Sequence, residues 1–134
     1  MKSVLDEFTL RQILGNERSV IIHDIDELVE KIKSMKQIFG SQFQHCLAVK
    51  SNPIIEILKI VVEFGMGLEC ASEEEVHLAL AAGCVPKLIL HNGPAKSQAE
   101  IDRCLSIGIS FVLNDFIEVN SYCSPFSRRC SLHY

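Results

Sequence analysis

No segment of this 134-residue chain gathers basic residues, and its 13 Lys and Arg are outnumbered by 17 Asp and Glu, for a formal net charge of −4. That balance excludes the electrostatic footprint of a nucleic-acid binder. Arg128-Arg129 is too short a pair to supply one. Long apolar runs are missing too. The most apolar stretch, Pro53 to Phe64, carries Glu56, Lys59 and Glu63 on one helical face, whereas a membrane span needs ~20 uninterrupted apolar residues. The first residues, MKSVLDEFTLRQ, have early acids and no apolar core, so they do not read as a signal peptide. The six cysteines, at 46, 70, 84, 104, 123 and 130, include no Cys-x-x-Cys pair, which leaves a metal site without support. They are also too sparse for a disulfide scaffold. Cys46, Cys70 and Cys104 lie in apolar stretches and read as buried free thiols. A soluble, cytoplasmic chain without membrane or nucleic-acid partners is the expectation.

What is present is average in amount and ordered in arrangement. Hydrophobic residues make up 48% and charged residues 22%, the composition of a globular chain. The length suits one domain, since domains typically hold ~100–150 residues. A β-branched run at 19–23 (SVIIH) reads as a strand. Asp24 and Glu27 then open a helix over 25–39, with Leu28, Ile32, Met35 and Phe39 on one face and Gly40 as its stop.

This unit repeats. Apolar strands are expected at 46–49, 67–71, 88–91 and 110–113, each followed by a capped amphipathic helix. Ser51-Asn52-Pro53 supplies the start of one helix. Ser72-x-x-Glu75 and Ser97-x-x-Glu100 are capping boxes for the next two. Strand ends fall near Lys50, Ala71, His91 and Asn114, about 20 residues apart, which implies parallel βαβ units. Locally, a doubly wound sheet and a (β/α)8 barrel both fit. As a barrel, which takes ~250 residues, the chain is half of one. Asp115-Phe-Ile-Glu-Val begins like a further helix, and residues 120–134 (NSYCSPFSRRCSLHY) read as an irregular tail.

Lys50 is the leading chemical candidate. It ends an apolar strand before a turn, and in parallel α/β folds that edge is where sites assemble. A lysine in low-dielectric surroundings becomes a Schiff-base nucleophile. The same position equally suits a lysine that snorkels out of a strand end.

The order of blocks LAVKSNP, GMGLECASEEEVHLALAAG and LILHNGPAKS resembles the fold-type III decarboxylases that use pyridoxal phosphate and act on ornithine, arginine, lysine or diaminopimelate. The resemblance covers roughly residues 19–118. It implies an α/β fold: a partial (β/α)8 barrel of about the first four βα units, with residues 1–18 as an N-terminal extension, 19–119 as the partial cofactor-binding barrel and 120–134 as the tail. It implies that Lys50 holds the cofactor. The family's D-x-A/G-S-x-x-E block falls on Glu69 to Glu75, which puts Glu69, Ser72 and Glu75 beside the cofactor. Glu69 stands where the family usually has Asp. HNGPAK puts His91 and Asn92 at the mouth of the site.

Plainer roles stand beside these. Glu75 is also a capping partner of Ser72, Glu69 a solvated strand residue, and His91 a strand-end histidine with a backbone partner. The family's phosphate loop, ring-nitrogen acid and ring-stacking histidine lie on later strands, and no glycine-rich run follows Gly108. The resemblance thus implies a pyridoxal-dependent decarboxylase of a basic or diamino amino acid, in amino-acid metabolism and polyamine biosynthesis. This fragment is expected to be inactive alone. The alternative is a non-catalytic interaction or regulatory protein pairing with a full-length relative. A homo- or heterodimer is expected, because half a barrel leaves parallel strand edges open. A small flavodoxin-like domain, or a tail arising from altered reading, are the remaining options.

Overall fold

The computed structural model of the chain describes residues 6–122. Four strands, β1 (Cys46–Ala48), β2 (Gly67–Cys70), β3 (Ile89–His91) and β4 (Ser110–Phe111), form one sheet in the order β1-β2-β3-β4. All three pairings are parallel. Helices α3 (Ile55–Glu63), α4 (Glu73–Ala81) and α5 (Gln98–Ile107) make the crossovers, with α2 (Ile25–Phe39) before β1 and α6 (Phe116–Tyr122) after β4. A further helix, α1 (Glu7–Leu14), stands ahead of them and was not foreseen from the sequence. Sequential parallel strands with a helix between each pair are consecutive βα units of a barrel wall.

The register assigns the two faces of the sheet. Leu68 pairs with Ile89 and Cys70 with His91, and all four are buried. Their face carries the helices. Ala48, Glu69, Leu90 and Ser110 pair in a row on the other face, where burial is only partial or absent. The core therefore lies between sheet and helices, around Leu58, Val61, Leu68, Ala79, Ile89 and Ile109. Leu58 and Leu68 are wholly buried, and each such side chain contributes roughly 1.5–3 kcal/mol. Gly67 is a packing requirement. A Cβ there would sit 2.9 Å from Cys46 Sγ and press on the Leu88 carbonyl, so only glycine lets β2 lie between its neighbours.

Three expectations fail locally. Residues 19–23 form no strand and join no sheet among the described residues, and Ile21 is 82% exposed. The segment stands off from β1 across a groove of about 390 Å³ lined by Ile22, Leu28, Leu47, Asn52 and Ile57. A β-branched run becomes a strand only where a neighbour accepts its hydrogen bonds. Phe39, expected on the buried face of α2, is half exposed and packs edge-on with Phe43 and beside His45. Ser51-Asn52-Pro53 does not cap α3, whose N-cap is Ile54 with no side-chain bond. Proline restricts the residue before it to extended backbone, so Asn52 is held at φ −159° and the helix begins later. Of the stretch read as a tail, residues 120–122 continue α6, and the remainder lies outside the described residues.

Candidate functional site

The loops that follow the four strands gather at one edge of the sheet. Lys50 lies there in a 3-10 turn, Val49–Ser51, that directly continues β1. Val49 is fully buried and anchors the turn, Ser51 Oγ donates to the Ala48 carbonyl at 2.7 Å, and Lys50 is exposed. In a 3-10 turn successive side chains stand a third of a turn apart, so a buried Val49 leaves Lys50 pointing away from the core.

Glu69 stands one strand across, in register with Ala48 on the partly exposed face. Its Oε1 accepts from Asn92 Nδ2 at 3.2 Å. Cys46 shares this face, and burial, followed by the charge of Glu69, pushes its thiol pKa up.

Ser72 caps α4, its hydroxyl accepting from the Glu75 N–H at 3.3 Å. The second half of the expected capping box takes another form. Glu75 Oε2 accepts from the Ala71 N–H at 2.8 Å, one residue before the cap. Reaching further back ties the carboxylate to the end of β2 itself. In contrast, Ser97 and Glu100 form the full reciprocal box of α5.

His91 ends β3 at the same edge, but its side chain takes the other face of the sheet. Its side chain is buried on the helix side of the sheet, with Nδ1 3.5 Å from Cys104 Sγ of α5. Burial, then the nearby Lys96 charge, holds its pKa below the ordinary 6.5. A small cavity of about 60 Å³ lies behind it between α4 and α5, with Glu73 and Arg103 paired at its wall. Asn92, beside it, faces Glu69.

One element escaped the sequence reading. Lys96 and Glu118 form an ion pair, Nζ to Oε2 3.1 Å, with side chains 1% and 7% exposed. Glu118 also accepts from the N–H groups of Lys96 at 3.2 Å and Asn114 at 2.8 Å. Lys96 Nζ donates to the Gly93 carbonyl at 2.6 Å, and Asn114 Nδ2 donates to the same oxygen. The loops after β3 and β4 are thereby clasped together. Asp115-x-x-Glu118 repeats the spacing of Ser72-x-x-Glu75, a signal that was available in the sequence.

The donor set fits one end of pyridoxal phosphate. Lys50 offers an exposed primary amine for the aldehyde. Helix N-termini are ordinary phosphate sites; just ahead of α4, α5 and α6 one N–H each is taken by Glu75, Glu100 and Glu118, whereas α3 starts without a side-chain cap. Among the described residues no helix is long and apolar enough to cross a membrane.

Comparison with known proteins agrees with this layout. Residues 25–122 match the family model described as pyridoxal-dependent decarboxylase, pyridoxal binding domain. The chain is 31% identical over 102 residues to a diaminopimelate decarboxylase of Helicobacter pylori, covering 75% of this chain and 25% of that protein. It thus spans about a quarter of the length of the curated relatives it matches. In structure it resembles ornithine decarboxylase from Entamoeba histolytica, with a TM-score of 0.71 and 25% identity over 90% of this chain and 38% of that one. It also resembles lysine/ornithine decarboxylase from Vibrio vulnificus complexed with cadaverine, with a TM-score of 0.73 and 21% identity over 89% of this chain and 34% of that one.

Proposed function

This chain belongs to the pyridoxal-dependent decarboxylases, with residues 25–122 in their pyridoxal-binding domain, and on that premise we propose that it is the Lys50-bearing part of an amino-acid decarboxylase acting on a basic or diamino substrate. The supporting observation is the placement of Lys50, an exposed amine on a strand-end turn anchored by buried Val49, beside the strand that carries Glu69 and the loop that Glu75 holds. Diaminopimelate and ornithine decarboxylases among its relatives support the substrate class. When bound, pyridoxal phosphate supplies an aldehyde for the amine and a ring that withdraws electrons as carbon dioxide leaves.

Each residue then has a physical task. Lys50 provides the attacking nitrogen at the edge of the sheet. Glu75 fixes the N–H of Ala71, and Ser72 caps the helix behind it, so the loop flanking Lys50 keeps one shape. Glu69 places a carboxylate on the same face as Ala48. His91 lies behind the sheet, and its part is to support the β3 end through Cys104. In the family that the sequence resembles the phosphate loop lies on later strands, so the phosphate would take donors from beyond these residues. The described segment is therefore proposed to be inactive by itself; it is further proposed to work in the cytoplasm in amino-acid or polyamine metabolism, and to act within a dimer.

A second reading is favoured by the edges of the sheet: among the described residues β1 and β4 each have one neighbour. Such edges suit a chain that pairs with a longer decarboxylase and modulates it. Co-purification with a longer relative, without any cofactor adduct, would support that reading.

The deciding experiment treats the chain with pyridoxal phosphate, reduces it with borohydride and maps the modified lysines by peptide mass spectrometry. A dominant adduct at Lys50 that disappears in Lys50→Ala is expected. Even labelling of Lys36, Lys59 and Lys87 with no preference for Lys50 would sink the proposal.

A further inference from the structure

We propose that Asn92 is a positioning residue of this site: its amide fixes the carboxylate of Glu69, so that Glu69 acts from one place on the inner face of the sheet. The inference rests on the reading of Lys50 and Glu69 given above, and extends it to a residue to which that reading gives no task.

Glu69 needs such a partner. Its neighbours in the cross-strand row are Ala48 and Leu90, neither of which has a side chain able to hold a carboxylate. Its side chain carries one rotatable bond more than the aspartate that the family usually places there, and each free rotor spreads the charge over more positions. Among the described residues, the amide of Asn92 is the hydrogen-bond donor it meets, Nδ2 to Oε1 at 3.2 Å. A neutral amide restrains the carboxylate without neutralising its charge.

Asn92 is itself held from both sides. Its own N–H donates to the Cys70 carbonyl at 2.8 Å, which prolongs the β2–β3 ladder by one bond past His91. The next residue, Gly93, packs so closely on the loop after β2 that a Cβ would lie 2.7 Å from the Ala71 oxygen. The Gly93 carbonyl is then taken by Lys96 Nζ and by the Asn114 amide. The peptide that carries the Asn92 side chain is therefore fixed by β2 on one side and by the Lys96–Glu118 clasp on the other. A donor on so constrained a backbone loses little freedom when it binds, which makes it an effective positioner.

The test uses the full chain, pyridoxal phosphate and borohydride, and reads the ratio of Lys50 adduct to adduct at Lys36, Lys59 and Lys87. Asn92→Ala, Asn92→Asp, Glu69→Ala and the double substitution Glu69→Ala/Asn92→Ala are compared with the parent. Asn92→Asp keeps the shape, removes the donor and sets a second carboxylate against Glu69, while Asn92→Ala removes the donor without adding charge; circular dichroism melting monitors folding in both. Each single substitution is expected to lower the ratio about tenfold, the scale of a hydrogen bond to a charged group. The double substitution is expected to fall no lower than Glu69→Ala, because Asn92 acts only through Glu69. An unchanged ratio in both Asn92 variants, or deficits that add in the double variant, would overturn the inference and leave the role of Lys50 standing. A parent chain with no preference for Lys50 would overturn the pyridoxal reading and this inference with it.

Discussion

Lys96 and Glu118 form an ion pair that joins two successive strand-end loops, with 3.1 Å between Nζ and Oε2 and almost no solvent access to either side chain. Its two members are not equivalent. If Lys96 is replaced by methionine, Glu118 keeps the N–H groups of Lys96 and Asn114 as donors. If Glu118 is replaced by alanine, those two N–H groups lose their acceptor and the buried ammonium keeps only the Gly93 carbonyl, with no opposite charge beside it. Removing one partner of a buried pair costs about 3–5 kcal/mol, against a total of about 5–15 kcal/mol for a domain. Glu118→Ala is therefore expected near the top of that range and Lys96→Met near or below its bottom, both by urea denaturation. The apolar pair Lys96→Met/Glu118→Leu should recover the part of the loss that comes from the unpaired ammonium, but not the part that comes from the two N–H groups. Equal costs for the two single variants would show that the backbone donors add nothing.

Acid should weaken the fold in two stages. Burial drives the Glu118 carboxyl up, but the Asn114 N–H and the side chain and N–H of Lys96 together outweigh it and hold the group below the usual 4.5. The unfolded chain then takes up its proton first as pH falls. The contribution of Glu118 is complete above about 4.5 and is lost as pH drops through the folded value. His91 acts in the same direction at higher pH. Burial, then the Lys96 charge, lowers its pKa against weaker opposing effects of Glu100, Glu73 and Glu118. Its neutral folded form contributes fully above about 6.5 and loses that contribution below. Urea midpoints measured across pH should fall in both windows, with His91→Gln flattening the first and Glu118→Gln the second. A slope between pH 7 and 5 that survives His91→Gln would contradict this origin.

The parts of the fold legible in the sequence were those with punctuation at both ends. β2, for instance, is an apolar run between Gly67 and a serine cap, and its helix ends before Gly83. SVIIH has equally good strand residues and yet joins no sheet among the described residues, because pairing depends on what stands alongside and periodicity does not report that. At the proposed site, the place of Lys50 at the end of β1 and the Ser72–Glu75 cap were legible in the sequence, while their proposed roles come from the family resemblance. Lys96 and Glu118 were not legible, since they are 22 residues apart and a lysine ahead of a helix reads as a surface residue. The helix macrodipole disfavours a cation at that position, and this mismatch was the available hint of a buried acidic partner. His91 shows the reverse limit, because its place in the sequence named the right edge of the sheet but not the face its side chain takes.

Gly93 should tolerate no side chain. A Cβ there would stand 2.7 Å from the Ala71 oxygen and 3.0 Å from His91 Nε2. The first of these is backbone, so it cannot swing aside, and the loops after β2 and β3 would have to part. Overpacking of this kind costs about 1–3 kcal/mol. Gly93→Ala is expected to lose that much stability in thermal or urea melts, and to loosen Asn92 from Glu69 because the two positions are adjacent. By contrast Ala95→Ser, at an exposed position in the same loop, should change the midpoint little. If Gly93→Ala melts with the parent, the two loops are less tightly apposed than 2.7 Å implies.

The Cys70 thiol should be inert until the sheet opens. It is fully buried at the end of β2, directly behind the site, and burial followed by the charge of Glu75 pushes its pKa to about 12. At about pH 8 only roughly one molecule in ten thousand would then carry the reactive thiolate. Cys84 and Cys104 are also buried, free and raised in pKa, whereas Cys46 is only half buried. With Cys123 and Cys130 replaced by serine, a thiol-disulfide reagent should modify Cys46 first and the other three only at the rate of unfolding. Adding low urea should accelerate all three together, since reaction then follows the population of open molecules. Modification of Cys70 ahead of Cys84 and Cys104 would mean that β2 separates from its neighbours before the rest of the core. The turn that carries Lys50 would then lose the strand it leans on, and selective pyridoxal labelling should decline at the same urea concentration.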